Sequence, residues 1–183
     1  MIVSARKKIF VIAVVSFCIT AIAVIFVVFK KLESSDMFVT SGVSTLSDIT
    51  FKNIEAQELS VSSLRGRPVV LSIWASWCSL CMRQIADLSA LQQEFGDNVT
   101  IIAVNRGESL DVVKKYIDQY DSGHNLIFVL DANDLLYTEI KGFSMPETVF
   151  LDKDGNIRDH TRGIINIVEL RRRIENLIDR PTD

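Results

Sequence analysis

The chain of 183 residues is long enough for one compact domain plus an attachment segment, and its hydrophobic content of 48% can build a core. All 23 acidic residues lie beyond Lys31, together with 15 lysines and arginines, which gives this part of the chain a formal charge of −8. Such a balance lacks the basic footprint of a nucleic-acid-binding protein, so we expect no nucleic acid as a partner.

The first predicted element is a membrane-spanning helix over residues 9–29. These 21 residues carry no charge, and about 20 apolar residues span a bilayer. Three basic residues precede the run and two follow it, which slightly favours a cytoplasmic N-terminus formed by residues 1–8. The alternative is a cleaved secretory signal ending near Ala21 to Ala23, although the apolar run exceeds the usual length of a signal core. We expect a single-pass protein of the cytoplasmic (inner) membrane whose C-terminal domain lies in the periplasm.

A linker and the start of the folded domain follow the predicted anchor. Residues 30–47 are rich in serine and threonine and lack a helical apolar period, which indicates a tether. We place the domain at residues 48–183. Two short alternating segments, Ile49–Phe51 and Leu59–Val61, predict a β-hairpin at its beginning.

Strands and helices then alternate through the middle of the domain. Continuous apolar runs predict buried strands at Val69–Trp74, Val99–Val104 and Leu126–Leu130. Periodic segments and capping residues predict helices at Leu80–Phe95, Ser109–Tyr120 and Asn133–Ile140. A hairpin of Glu147–Asp152 and Ile157–Thr161 follows, and Asn166 is expected to cap a last helix reaching about Ile178. This order predicts an α/β fold in which helices cover both faces of a mixed central sheet.

Two cysteines of this domain, Cys78 and Cys81, follow a predicted buried strand and open a helix. Free N–H groups and the partial positive charge at a helix start stabilise a thiolate, so the pKa of Cys78 should lie below that of a free thiol. Cys81 lies on the same helical face and can close a disulfide with Cys78. The hydroxyl of Ser79 is a further possible donor to the Cys78 sulfur.

Three other roles for the cysteine pair remain as alternatives. A purely structural disulfide would close too short a loop to add much stability. A zinc site would need His124 or His160, and neither lies at the usual ligand spacing, so we expect no metal and no cofactor. Two inert core thiols would not need the strand–helix junction. Both histidines are expected to be ordinary surface residues.

The segment WASWCSLC at residues 74–81 resembles the active site of the thioredoxin superfamily. Residues 51–74 and 101–109 resemble its TlpA/ResA branch. Residues 141–163 resemble the segment that carries the superfamily's cis-proline, and their Pro-Glu-Thr resembles the CcmG/DsbE-like thioredoxins of cytochrome c maturation. The resemblance covers about residues 48–178 and implies a thioredoxin-like fold.

The resemblance also implies an activity and site residues. It implies thiol-disulfide exchange at Cys78 and Cys81 with protein thiols and disulfides, and an upstream membrane electron donor. It places Pro146 as the cis-proline opposite the cysteines, with Met145 and Trp77 touching the substrate. The expected direction is reduction; oxidation or isomerisation of disulfides is an alternative, as is a binding module with a vestigial pair. A peroxidase is a poorer match to two cysteines at this spacing.

The sequence departs from the family pattern in three ways, and a fourth residue could compensate for two of them. First, no proline separates the two cysteines. Gln84 stands where the branch often has an acid that helps to deprotonate the second cysteine, and Ser72 stands where thioredoxins have a buried aspartate. Glu147 is a candidate replacement for these acids, and a surface or substrate-facing role for it is at least as well supported.

Overall fold

The computed structural model describes residue 46, residues 49–120 and residues 125–179. The predicted membrane helix, residues 9–29, lies outside the described residues, as does His124. Within the described ranges, no helix is both long enough and apolar enough to cross a bilayer. Leu46, which the sequence assigns to the linker, is buried and packs into the hydrophobic core of the folded domain.

Seven strands form one sheet, with the order β2-β1-β5-β4-β3-β6-β7. The strands are β1 (Thr50–Asn53), β2 (Glu58–Ser60), β3 (Val69–Trp74), β4 (Thr100–Arg106), β5 (Ile127–Asp131), β6 (Glu147–Leu151) and β7 (Ile157–Arg162). Strands β3, β4 and β5 are parallel, and the remaining pairs are antiparallel. The predicted mixed sheet and both predicted hairpins are therefore confirmed.

Within the described residues, four α-helices accompany the sheet: α1 (Ser79–Phe95), α2 (Leu110–Tyr120), α3 (Leu135–Glu139) and α4 (Ile167–Ile178). Successive side chains of a strand point to opposite faces, so the buried strands feed two core layers. Val70 and Trp74 of β3 join a layer with α1, α2 and α4. Leu71 and Ile73 join the opposite layer with α3. Helices on both faces are thus confirmed.

Local signals set where the helices around the sheet begin and end. The side chain of Asn166 accepts a hydrogen bond from the N–H of Glu169 at 3.0 Å, which confirms it as the N-cap of α4. Gly96 ends α1 with a φ of 54°, a conformation that glycine adopts without steric cost. Both helices pack against the sheet face that carries the cysteines.

Candidate active site

The cysteine pair lies at the junction between β3 and α1. Cys78 is the N-cap of α1 and is bonded to Cys81, with an S–S distance of 2.00 Å and a Cα–Cα distance of 5.3 Å. The N–H of Cys81 donates to the Cys78 sulfur at 3.2 Å. Within the described residues this backbone group, rather than the Ser79 hydroxyl, is the donor to that sulfur. A thiolate at Cys78 in the reduced protein would face the positive end of the helix.

The two sulfurs differ in their access to a substrate. Cys78 is 6% exposed and Cys81 is 1% exposed, and both join the core layer that contains Trp74. Trp77, directly before the pair, is 67% exposed. Cys78 is thus slightly more accessible than Cys81, although both residues are buried.

A carboxylate that the sequence analysis missed holds the loop before the cysteines. Glu108 accepts hydrogen bonds from the backbone N–H of Ser76 at 2.7 Å, from its hydroxyl at 2.5 Å and from the Asn105 amide at 2.7 Å. Burial alone would raise the pKa of Glu108, but these hydrogen bonds outweigh it and lower the pKa below its ordinary value. Glu108 belongs to the segment 101–109 that carries part of the family resemblance, which was the available signal.

Gln84 takes the place of the expected acid and is fully buried. Its amide nitrogen donates to the hydroxyls of Ser72 at 3.2 Å and Thr148 at 2.8 Å, and its carbonyl oxygen accepts from the N–H of Ile165 at 2.9 Å. The two positions that lack acids, Gln84 and Ser72, are therefore bonded to each other. Neither side chain can accept a proton from Cys81, but together they connect α1 to β3, β6 and the segment before α4.

The Met145–Pro146 peptide bond is cis, as the resemblance implies. Pro146 is buried, and its carbonyl oxygen accepts from the N–H of Gly163 at 2.8 Å. Met145 is partly buried and packs against the core layer that includes Cys78 and Cys81. Met145, the residue before the cis-proline, and the cysteine pair thus share the same core layer.

Glu147 is fully buried, so the surface or substrate-facing role considered for it is wrong. One carboxylate oxygen accepts from the backbone N–H groups of Phe143 and Ser144, each at 2.8 Å, and the other lies 2.7 Å from Nε2 of His160. Burial alone would raise the pKa of Glu147, but the two backbone donors and His160 outweigh it and lower the pKa. One oxygen holds the loop before the cis-proline and the other pairs with His160, which is a half-buried partner rather than an ordinary surface residue.

Tyr137 supports the same loop from α3. Its hydroxyl donates to the carbonyl oxygen of Ser144 at 3.1 Å, and its own carbonyl accepts from the N–H of Gly142 at 2.8 Å. A Cβ at Gly142 would lie only 2.5 Å from the Tyr137 ring, so a side chain does not fit there. The guanidinium carbon of Arg106 lies 3.7 Å from the centroid of the Tyr137 ring, and Arg106 forms a bidentate ion pair with Asp134.

No cluster of three or more potential metal-ligating side chains occurs in the described ranges. The side chains of the described site come from the β3–α1 junction, α1, the end of β4 and the residues just after it, α3, the loop before β6, β6 and β7.

The model of the AhpC/TSA family matches residues 44–160. The chain is 27% identical over 135 residues to the thiol-disulfide oxidoreductase ResA of Geobacillus kaustophilus, covering 73% of this chain and 76% of that protein. It is 25% identical over 130 residues to the thiol:disulfide interchange protein DsbE of Pseudomonas aeruginosa, covering 69% and 70%. The fold also matches a secreted disulfide oxidoreductase of Mycobacterium tuberculosis with a TM-score of 0.63 at 21% identity, over 71% of this chain and 96% of that one.

Proposed function

We propose that this chain, which belongs to the AhpC/TSA family and is a thiol-disulfide oxidoreductase of the ResA and DsbE type, reduces protein disulfides outside the cytoplasm from a membrane anchor. The observation that carries the proposal is the position of Cys78 at the start of α1, where its sulfur accepts the N–H of Cys81. That position favours the thiolate, which is the attacking species in disulfide exchange.

The proposed reaction has two exchange steps. The Cys78 thiolate attacks one sulfur of a substrate disulfide, and the other substrate sulfur leaves as a thiolate and takes up a proton. The Cys81 thiolate then attacks the Cys78 sulfur of the mixed disulfide and releases the second substrate sulfur. Two electrons pass to the substrate, and the protein reaches the disulfide form seen in the structure. An upstream membrane dithiol donor must return two electrons before the next cycle.

Two finer parts of the proposal rest on the sequence. The uncharged run at residues 9–29 supports a membrane anchor with the catalytic domain outside the cytoplasm. The Pro-Glu-Thr segment that begins at Pro146 resembles the CcmG/DsbE-like proteins and supports cytochrome c maturation as the route. Protease protection of the full-length chain in sealed vesicles tests the topology: cleavage of the domain from the cytoplasmic side would contradict it.

A trapping experiment tests the exchange. The Cys81→Ser chain should accumulate a mixed disulfide between Cys78 and its substrate, because the second attack is lost. The Cys78→Ser chain should form no adduct and show no exchange. Cys18→Ser is the matched control, since this cysteine lies in the predicted anchor, and it should behave as wild type. Exchange by Cys78→Ser at the wild-type rate would refute the proposal.

The direction of transfer needs a separate measurement. Titration of the purified chain against glutathione redox buffers gives the reduction potential of the pair. Potentials of thioredoxin-like pairs range from about −270 mV to about −120 mV. A value near the lower end supports reduction, and a value near the upper end would assign the chain to disulfide oxidation instead.

A further inference from the structure

Phe143 combines a fixed backbone with an exposed side chain. Phe143 is 76% exposed, yet its backbone N–H donates a hydrogen bond to the buried Glu147 carboxylate. The residues on either side, Gly142 and Ser144, are both bonded to Tyr137. A single exposed aromatic residue is common on protein surfaces, but here the buried Glu147 and the half-buried Tyr137 both hold the backbone of the loop that carries the ring. The ring therefore stays in solvent, three residues before the cis-proline.

The guanidinium of Arg162 lies 4.8 Å from the centroid of the Phe143 ring. Arg162 is the last residue of β7 and is paired in register with Glu147, the residue that follows Pro146. The next residue, Gly163, donates its N–H to Pro146. The backbone of Arg162 is thereby held beside β6, the strand that follows the cis-proline.

Arg162 has no carboxylate partner among the described residues. Among the described residues, the side chain of Arg162 makes one long hydrogen bond of 3.5 Å, to the carbonyl oxygen of Lys141. Its neighbours on the edge strand and the last helix are different: Arg158 pairs with Asp152, and Arg173 with Asp159. Arg162 is thus an exposed arginine without a carboxylate partner among the described residues, in register with the residue that follows the cis-proline.

The nearest carboxylate in register cannot neutralise this cation. Glu147 directs both oxygens inward, to the backbone donors of Phe143 and Ser144 and to His160. The side chain of Lys141 adds a second exposed positive charge on the same loop. A guanidinium stacked on an aromatic ring keeps its in-plane N–H groups free, and these match the two oxygens of a carboxylate.

We propose that Phe143 and Arg162 select substrates whose reactive cysteine has an acidic residue within a few positions in the sequence. The ring positions the guanidinium, and the guanidinium binds the substrate carboxylate while the cysteine reaches Cys78. This inference rests on the exchange activity of the proposed function and is independent of the direction of electron transfer.

The test uses three cysteine peptides of one sequence in which the flanking residue is Asp, Asn or Lys. Each peptide is supplied as its mixed disulfide with thionitrobenzoate, and release of the chromophore by the reduced full-length chain gives a second-order rate constant. We expect the Asp peptide to react about two- to fivefold faster than the Lys peptide at low salt, the range expected for an exposed charge pair. The ratio should approach one at about 1 M salt, where the screening length is about 3 Å.

Two variants and one control assign the selectivity. Arg162→Glu should abolish or invert the Asp-to-Lys ratio, and Phe143→Leu should lower it because the stacking that positions the cation is lost. Arg65→Glu changes the net charge equally at an exposed arginine in the turn before β3, and it should keep the wild-type ratio. Equal rates for the three peptides with wild type, or an unchanged ratio in Arg162→Glu, would overturn the inference. Failure of wild type to react even with a small aromatic disulfide would refute the proposed function itself.

Discussion

Replacement of Glu147 by glutamine tests whether an ionised carboxylate inside the fold holds the loop before the cis-proline. The wild-type carboxylate accepts hydrogen bonds from two backbone N–H groups, those of Phe143 and Ser144, and pairs with His160. Glutamine has nearly the same shape and keeps one oxygen as an acceptor for the two N–H groups. It removes the charge and places an amide NH₂ opposite the histidine.

The expected loss follows from the number and type of bonds. A hydrogen bond to a charged group contributes about 1.5–3 kcal/mol and a neutral one about 0.5–1.5 kcal/mol, so two weakened bonds lower the free energy of unfolding by about 2 kcal/mol. Glu147→Ala leaves both N–H groups and His160 without their partner and should lower it by about 3–5 kcal/mol. Glu139→Gln removes the same charge from an exposed position on α3 and should change it by less than about 0.5 kcal/mol.

The pH dependence gives the sharper criterion. The pKa of Glu147 is lowered in the folded protein, so its contribution is fully present above the unfolded pKa of about 4.3 and is lost as the pH falls through the folded pKa. Urea unfolding of the oxidised chain, followed by tryptophan fluorescence, should show the full difference between wild type and Glu147→Gln at pH 6. The difference should shrink by pH 3. A difference below about 0.5 kcal/mol at pH 6, or one that persists unchanged at pH 3, would refute the reasoning.

Three further substitutions test other parts of the fold and site. Gln84→Glu places an acid three residues after Cys81 and should make release of the second substrate thiol, followed by stopped flow, several-fold faster at neutral pH. An unchanged rate would show that the missing acid does not limit the attack of Cys81 on the mixed disulfide. Gly142→Ala forces a Cβ against the Tyr137 ring and should lower the free energy of unfolding by about 1–3 kcal/mol, while a neutral result in urea unfolding would mean that the ring moves without loss. Asn166→Ala removes the N-cap of α4 and should lower the free energy of unfolding by about 1 kcal/mol, and Asn166→Asp should restore it.

The elements of the fold could be predicted from the sequence where the signal is local. The continuous apolar run Val69–Trp74 is the strand β3 to the residue, and Asn166 caps α4 as expected. The ends of other elements differ by one or two residues: the strand predicted at Val99–Val104 runs from Thr100 to Arg106. The apolar run ends at Val104, but β4 remains hydrogen-bonded beyond it, because Asn105 pairs with β3 and both Asn105 and Arg106 pair with β5.

The polar contacts around the site could not be predicted in the same way, because they join residues far apart in the sequence. Gln84 bonds to Ile165 across 81 positions, and Ser76 bonds to Glu108 across 32. A local pattern showed only that Gln84 could not titrate, and gave no sign that it would connect four segments. His160 carried no motif at all, and its role depends on a register that places β7 beside β6.

The edge position of β7 has a consequence for the behaviour of the protein in concentrated solution. Its outer side has no neighbouring strand in the sheet, and such an edge is a template for pairing with another chain. The sequence of this strand, IRDHTR, places charged or polar residues at every position after the first. Addition of a second copy there in parallel register would place Arg158, Asp159 and Arg162 beside their like-charged counterparts. The edge that carries the arginine beside the active site thus also opposes self-association into fibrils.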